Sequence, residues 1–175
     1  MKMKHLFLAA LMLAGTLTAS AQIEIPGTKA SCSLSGEKWK FLRTINVDKN
    51  TNVYLFSYKA ELLVDADGEE TLPYLKIFVR KNYRKSIYEM VYDRYVQQPY
   101  QAIEEYSSGN GLPDKGGLGY VGIYTNPQDD KIYMFNMNCW LEGTTAIEFR
   151  LETTQNNYEH MKPEFMSILN SISTQ

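Results

Sequence analysis

The chain has 175 residues, of which 44% are hydrophobic and 13% aromatic, and its formal net charge is −2. A chain of this length suits one domain with a sizeable core. The slightly acidic balance disfavours nucleic acid and anionic membrane surfaces as partners.

The N-terminal segment is typical of a cleavable export signal. Lys2 and Lys4 precede a nearly unbroken apolar run over residues 6–17, and the small-x-small pattern Ala19-Ser20-Ala21 follows it. The run is shorter than the roughly 20 residues that a membrane-spanning helix requires. We therefore predict that residues 1–21 are a signal peptide and that the protein is periplasmic or secreted.

Cleavage after Ala21 leaves a mature domain of residues 22–175, with Gln22 first and a net charge of −4. A lipoprotein would carry Cys at that first position, so no lipid anchor is expected. The mature chain is predicted not to span a membrane, and its unknown protein partner is expected in the cell envelope. Its two cysteines, Cys32 and Cys139, either form a disulfide, as export permits, or are two small buried thiols.

Alternation of apolar and polar residues predicts three strands in the first half of the domain. They cover residues 39–45, 53–64 and 72–80. Turn residues 65–68 separate the last two, so we expect a hairpin.

The tip of that hairpin is acidic. Asp65, Asp67 and Glu69 lie with Glu70 in a six-residue stretch, a composition that suits calcium because calcium binds carboxylate oxygens. The spacing departs from that of an EF-hand loop, and an acidic solvated turn is the alternative. No other cofactor is expected.

A basic segment and a helix follow. Residues 80–85 (RKNYRK) are either a phosphate or sulfate site or a solvated strand end. In residues 84–97, Ile87, Val91 and Tyr95 recur at i, i+4 and i+8, with Tyr88 and Tyr92 beside them. This spacing predicts a helix that buries the first three.

A Gly- and Ser-rich loop covers residues 107–119 between strands predicted over 101–106 and 118–125. Loops of this length are uncommon in compact domains unless they bind something or are disordered. The candidate binding residues are Asn110, Asp114, Lys115 and Tyr120. The G-x-G-x-x-G match at residues 117–122 lacks the preceding strand and following helix of a dinucleotide site.

The C-terminal part is predicted to form a second hairpin and a closing helix. Residues 131–141 and 145–153 alternate as strands around a turn at 142–144. Met161, Phe165, Ile168, Leu169 and Ile172 then form one apolar stripe, and Pro163 suits the first turn of a helix that ends near residue 171.

These features resemble the PsbP-like superfamily. The sequence Gly36-Glu37-Lys38-Trp39 opens the domain, strand pairs and a mid-chain helix follow, and residues 164–172 look like that group's closing helix. The resemblance implies an α+β fold in which helices flank an antiparallel sheet of about six to seven strands, a PsbP-like α/β/α sandwich. It also implies docking to partner proteins rather than catalysis.

The inventory of catalytic residues is sparse. His160 is the only histidine of the mature chain, which leaves no His-rich metal site, and no serine lies in a G-x-S-x-G elbow. We expect His160 on a helix surface. The neighbours Glu104 and Glu105 point to opposite faces of a strand and do not form a catalytic pair.

The leading hypothesis is therefore an exported, non-enzymatic binding or accessory domain that docks a protein. A secreted hydrolase that uses two carboxylates is an alternative, because the distance between carboxylates is not visible in a sequence. A carrier of a small apolar ligand is the other alternative, and it requires a cavity between sheet and helices.

Overall fold

The structure, a computed structural model, describes residues 20–106 and 117–174. In chain order its elements are β1 (Ser20–Glu24), β2 (Ala30–Ser35), β3 (Trp39–Asn46), β4 (Thr51–Tyr58), β5 (Leu63–Val64), β6 (Glu70–Thr71), β7 (Tyr74–Arg80), α1 (Ile87–Gln97), β8 (Gln101–Tyr106), β9 (Leu118–Thr125), β10 (Ile132–Glu142), β11 (Thr145–Thr154), α2 (Gln155–Asn170) and β12 (Ser173–Thr174). Neither described helix has the length and hydrophobicity required to cross a membrane.

Seven strands form one antiparallel sheet in the order β3-β4-β7-β11-β10-β9-β8. They correspond to the seven predicted strands, so the predicted α+β fold with an antiparallel sheet is confirmed. The turn between β10 and β11 contains Gly143 at φ 59°, a left-handed conformation that favours glycine.

One predicted strand is interrupted. The segment 53–64 was expected to be continuous, but β4 ends at Tyr58 and only Leu63 and Val64 are extended again, in a short ladder with β6. The long strands β4 and β7 nevertheless pair directly, for example Tyr54 with Ile77. The hairpin is therefore confirmed, with a small second ladder at its tip.

Side chains alternate between the two faces of the large sheet, as along β10. One face carries Tyr133, Phe135, Met137 and Cys139, and the other carries Met134, Asn136, Asn138 and Trp140. Helix α2 lies on the second face, where Tyr158 Oη donates a hydrogen bond to Asn136 Oδ1 at 2.6 Å. Helix α1 lies on the first, where Arg94 contacts Glu148, the register partner of Cys139. We call these the α2 face and the α1 face.

The main hydrophobic core lies between the α2 face and α2. The sheet contributes Leu75, Ile77, Val79, Trp140, Ile147, Phe149 and Leu151, and α2 contributes Tyr158, Met161, Phe165, Ile168 and Leu169. Trp140 and Phe149 stack with ring centroids 5.5 Å apart. Burial of each large apolar side chain contributes about 1.5–3 kcal/mol, so this layer is the main source of stability. Four residues of the stripe predicted for the closing helix, Met161, Phe165, Ile168 and Leu169, are buried as expected, whereas Ile172 lies after the end of α2 and is half-buried.

The start of α2 differs from the prediction. The helix begins at Gln155, and Pro163 lies in its interior rather than in its first turn. The reason is that the buried stripe extends back through Met161 to Tyr158, so packing against the sheet favours helix ahead of the proline. The prediction for Pro163 was wrong.

This position of Pro163 gives a test of the fold. We expect Pro163→Ala to stabilise the protein by about 2 kcal/mol, because an interior proline removes a helix hydrogen bond and clashes with the preceding turn. Pro163 is exposed, so the change leaves no cavity. Urea unfolding should show a higher midpoint at unchanged slope. A change below about 0.5 kcal/mol would instead indicate a first-turn proline, which helices tolerate.

A small sheet in the order β1-β2-β12 was not predicted. It packs beside α2, where the Ser33 N–H donates to Ser171 Oγ at 2.8 Å. The cleavage site predicted after Ala21 lies within β1, so cleavage there would shorten this strand by two residues. Residues 1–19 lie outside the described part of the chain, and export stays a prediction.

Candidate functional site

A capping box fixes the start of α1. Ser86 Oγ accepts a hydrogen bond from the Glu89 N–H at 3.2 Å, and Glu89 Oε2 accepts one from the Ser86 N–H at 2.8 Å. Two N–H groups that a helix start leaves unpaired are thereby satisfied. The Glu89 carboxylate accepts hydrogen bonds from the Ser86 N–H and the Ser86 hydroxyl, and these two bonds hold its pKa below the ordinary value.

A buried ion cluster ties α1 to the sheet. The side chain of Glu148 is 1% exposed, and its carboxylate lies 2.9 Å from Arg80 Nη2 and 3.1 Å from Arg94 Nη2. Both guanidinium groups also lie over the Phe78 ring, with Cζ 4.9 and 4.4 Å from its centroid. Because Arg94 belongs to α1, this cluster determines which side of the helix meets the sheet.

The charge state of Glu148 follows from two opposing effects. Burial alone would raise the pKa of its carboxyl, but the guanidinium groups of Arg94 and Arg80 outweigh burial and hold that pKa below its ordinary value. Glu148 is therefore ionised at neutral pH, and one carboxylate is shared by two cations.

The side of α1 away from the sheet carries an exposed row of large side chains. Their exposed fractions are 72% for Tyr88, 65% for Tyr92, 45% for Tyr95 and 60% for Val96. The spacing i, i+4, i+7 and i+8 places all four on one side of the helix. We call these four residues the tyrosine stripe.

The buried side of α1 differs from the prediction. Ile87 is buried as expected, but Met90 is its buried neighbour, Val91 is half-buried and Tyr95 is exposed. The contact between Arg94 and Glu148 fixes the rotation of the helix that buries Met90 instead of Tyr95. The spacing of Tyr88, Tyr92, Tyr95 and Val96 was a readable signal for the stripe that faces outward.

A basic groove runs along another side of α1. It has a volume of about 560 Å³ and lies between α1, the turn from β3 to β4, and the segment 80–85. The cations that line it are Lys49, Arg80, Lys81, Arg84, Lys85 and Arg94, and the carboxylates are Asp48 and Asp93. Four of these cations come from the basic segment noted in the sequence, and α1 and the β3–β4 turn supply the others.

An aromatic cluster lies beneath the C-terminal end of α1. The Phe135 ring is surrounded by Tyr100, Tyr120 and Tyr124, at centroid distances of 5.5, 5.8 and 5.9 Å. The guanidinium of Arg150 lies 4.4 Å from the same ring and donates a hydrogen bond to Gln98 Oε1 at 3.1 Å. This second link holds the chain that follows α1.

The cluster also locates one candidate residue of the predicted binding loop. Tyr120 is 3% exposed, and its hydroxyl donates to Met137 Sδ at 3.5 Å. Tyr120 is therefore a core residue and not a loop contact. The other three candidates, Asn110, Asp114 and Lys115, lie outside the described residues, and their binding role stays a prediction.

The acidic hairpin tip is organised around a lysine. Asp65 Oδ1 accepts hydrogen bonds from the N–H groups of Asp67 and Glu69, both at 3.0 Å. The Lys131 ammonium bonds to Asp65 and, at 2.5 Å, to Glu69, and the bond to Lys131 lowers the pKa of Asp65. In the described ranges, no three His, Cys, Asp or Glu side chains are arranged to hold a metal ion. The calcium hypothesis stays a prediction, and it requires displacement of Lys131.

The two cysteines are free, buried thiols. Cys139 lies on the α1 face, where its Sγ donates to the Leu118 carbonyl at 3.3 Å. Cys32 lies in β2, in the small sheet beside α2. The large sheet separates the two positions, which explains why the buried thiols, rather than the disulfide, are found.

The remaining titratable candidates lie on the surface. His160 is exposed on α2, as predicted, and its Nε2 lies 2.5 Å from Glu61 Oε1. Glu104 and Glu105 are both exposed on β8, an edge strand of the large sheet.

Comparison with known proteins concerns the fold. No family model and no curated protein sequence matches the chain. The Ran-binding protein Mog1p of Saccharomyces cerevisiae superposes with a TM-score of 0.53 at 11% identity, covering 90% of this chain and 96% of that one. The solution structure of the cyanobacterial PsbP protein (CyanoP) of Synechocystis superposes with a TM-score of 0.55 at 10% identity, covering 94% and 99%.

The chain has the PsbP-like fold. The fold that the resemblance noted in the sequence implied is thereby confirmed. At identities of 10 and 11% the comparison establishes the PsbP-like fold alone, because one fold hosts many functions.

Proposed function

We propose that this chain is an exported, non-enzymatic binding domain that docks a partner protein of the cell envelope through the tyrosine stripe. The observation that carries the proposal is the exposure of three tyrosines and Val96 on one side of α1. Contiguous exposed apolar surface marks interaction sites. Tyrosine is enriched at the centres of interfaces because its ring contributes a large contact area with few rotatable bonds.

The contacts that fix the position of α1 support this role. The capping box at Ser86 and the ion cluster at Glu148 hold the helix at two points, and Arg150 holds the chain that follows it. A partner that binds the tyrosine stripe therefore meets a helix that is already formed and oriented. Such preorganisation reduces the conformational entropy that is lost on binding.

The PsbP-like fold is compatible with docking. Mog1p, which has this fold, is a Ran-binding protein. This supports a protein-binding role for the present chain by analogy and does not identify its partner.

The observed sites favour docking over the two alternatives. The carboxylate of Glu148 is neutralised by two guanidinium groups, and Asp65 is held by Lys131. Two grooves, of about 560 and 290 Å³, are open and lined mostly by charged and polar side chains, so neither resembles the enclosed apolar cavity of a ligand carrier.

The proposal is tested by affinity capture from the native cell envelope with paired variants. We expect the double variant Tyr88→Gln/Tyr92→Gln to capture at least about tenfold less partner, because tyrosines that act as hot spots of an interface contribute about 2 kcal/mol or more. Its stability should change by no more than about 0.5 kcal/mol per site, since both side chains are exposed. Quantitative mass spectrometry measures the capture.

A matched control is the double variant Val47→Gln/Leu62→Gln. These side chains are 60% and 68% exposed but lie outside α1, so this variant should capture the same partner as the unchanged protein. Equal recovery with both double variants would contradict docking through the tyrosine stripe. Turnover of a glycan or ester by the purified protein would favour the hydrolase.

A further inference from the structure

We infer that the basic groove binds an acidic segment of the partner polypeptide, next to the contact made by the tyrosine stripe. This inference rests on the proposed docking function and adds the chemistry of the partner. The groove volume of about 560 Å³ lies within the range of about 300–1,000 Å³ that ligand sites occupy.

The charge of the groove points to an anionic occupant. Six cations line it, against the two lining carboxylates and Glu148 beneath them. The chain as a whole has a net charge of −2, so this excess of positive charge is local. Positive potential concentrated in a concave surface attracts and steers an acidic partner.

Three of the cations form no salt bridge with another described residue. Lys85 pairs with Asp93 at 2.5 Å, whereas Arg80 and Arg94 share Glu148. Within residues 20–106 and 117–174, no salt bridge involves Lys49, Lys81 or Arg84. All three are exposed. Their charges are therefore available to a carboxylate of a partner without breaking an existing ion pair.

The position of the groove indicates a polypeptide rather than a small free anion. Helix α1 forms one wall through Asp93 and Gln97, and Val96 of the tyrosine stripe is three residues from Asp93 on the helix surface. A protein seated on the stripe therefore reaches the edge of the groove. An acidic segment of that protein would extend the same contact.

The inference is tested with a fluorescein-labelled deca-glutamate peptide and the full domain, by fluorescence anisotropy at low salt. We expect binding of deca-glutamate, no binding of deca-glutamine, and weaker binding as salt rises. The variant Lys49→Gln/Lys81→Gln/Arg84→Gln should raise Kd at least about tenfold, since three ion pairs of about 0.5 kcal/mol each amount to one decade.

The matched control is Lys29→Gln/Lys40→Gln/Lys59→Gln, which removes the same charge from exposed positions outside the groove. Its Kd should stay within about twofold of the unchanged protein. Absence of deca-glutamate binding, or equal weakening in both triple variants, would overturn the inference. Displacement of the peptide by millimolar inorganic phosphate would also overturn it and would indicate a small-anion site.

Failure of this inference is distinguishable from failure of the docking proposal. If Tyr88→Gln/Tyr92→Gln abolishes partner capture while the groove variant leaves peptide binding unchanged, docking stands and the acidic segment is rejected. If partner capture survives the tyrosine changes, the docking face itself is rejected.

Discussion

Replacement of Glu148 by alanine is expected to destabilise the protein by about 3–5 kcal/mol, because it leaves two guanidinium groups close together without their shared counter-ion. The side chains of Arg80 and Arg94 are only 19% and 15% exposed, so water cannot fully replace the carboxylate. Urea unfolding followed by circular dichroism measures the change. Because Arg94 is the link to α1, this helix should also lose amide-exchange protection.

The control for this prediction is Asp93→Ala. It breaks the salt bridge between Lys85 and Asp93, whose side chains are 51% and 44% exposed. Surface salt bridges of this kind contribute about 0–1 kcal/mol to stability. A loss below about 1 kcal/mol for Glu148→Ala would show that the cluster is not closed in solution.

The pH dependence of stability gives a second measurement on Glu148. Its pKa is lower in the folded protein than the ordinary value of 4.5, so its contribution to stability is present above that value and is lost as pH falls through the folded pKa. The stability difference between the unchanged protein and Glu148→Gln should therefore shrink below about pH 4. A difference that stays constant down to pH 3 would contradict the lowered pKa.

Gly122→Ala is expected to cost about 1–3 kcal/mol through overpacking. A Cβ at this position would lie 2.3 Å from Phe135 Cζ and 2.7 Å from its Cε1. The ring cannot retreat easily because Tyr100 and Tyr120 pack against it. Thermal and urea unfolding measure the loss.

Two further variants isolate the cause. Gly36→Ala, where an added Cβ meets nothing within 4 Å, should change stability little. In Gly122→Ala/Phe135→Leu, the smaller side chain gives the new methyl group room. The double variant should therefore lose less stability than the sum of the losses of the two single variants, by at least about 0.5 kcal/mol. Strict additivity would rule out the clash as the source of the loss.

The large sheet was predictable because its signal is local. Several of its strands show a period of two, as Leu75, Ile77 and Val79 do on β7, and burial of one face more deeply than the other produces this pattern. The small sheet was not predicted although β2 alternates in the same way, because a six-residue strand in which every second residue is serine offers little apolar surface of its own. In β2 three serines alternate with Cys32 and Leu34, and the strand is stabilised by contacts with residues more than a hundred positions away, such as Ser171.

The candidate site was only partly predictable for the same reason. The helix and the basic segment 80–85 were readable from the sequence, but the rotation of α1 depends on Glu148, which lies 54 positions beyond Arg94. The spacing of Ile87, Val91 and Tyr95 alone therefore predicted a rotation that places Tyr95 inside, whereas Tyr95 is exposed. Tyr120, a candidate binding residue next to the loop of residues 107–119, lies in the core because β9 pairs with β10.

Alkylation of the two buried thiols, Cys32 and Cys139, can report partial unfolding of the protein. Burial raises the pKa of Cys32 to about 12 and also raises the pKa of Cys139, so neither forms the reactive thiolate in the native state. Alkylation must then wait for a local opening event. Because the thiols lie in different layers, the alkylation rate of Cys32 reports the release of the small sheet. The alkylation rate of Cys139 reports the opening of the structure beneath α1.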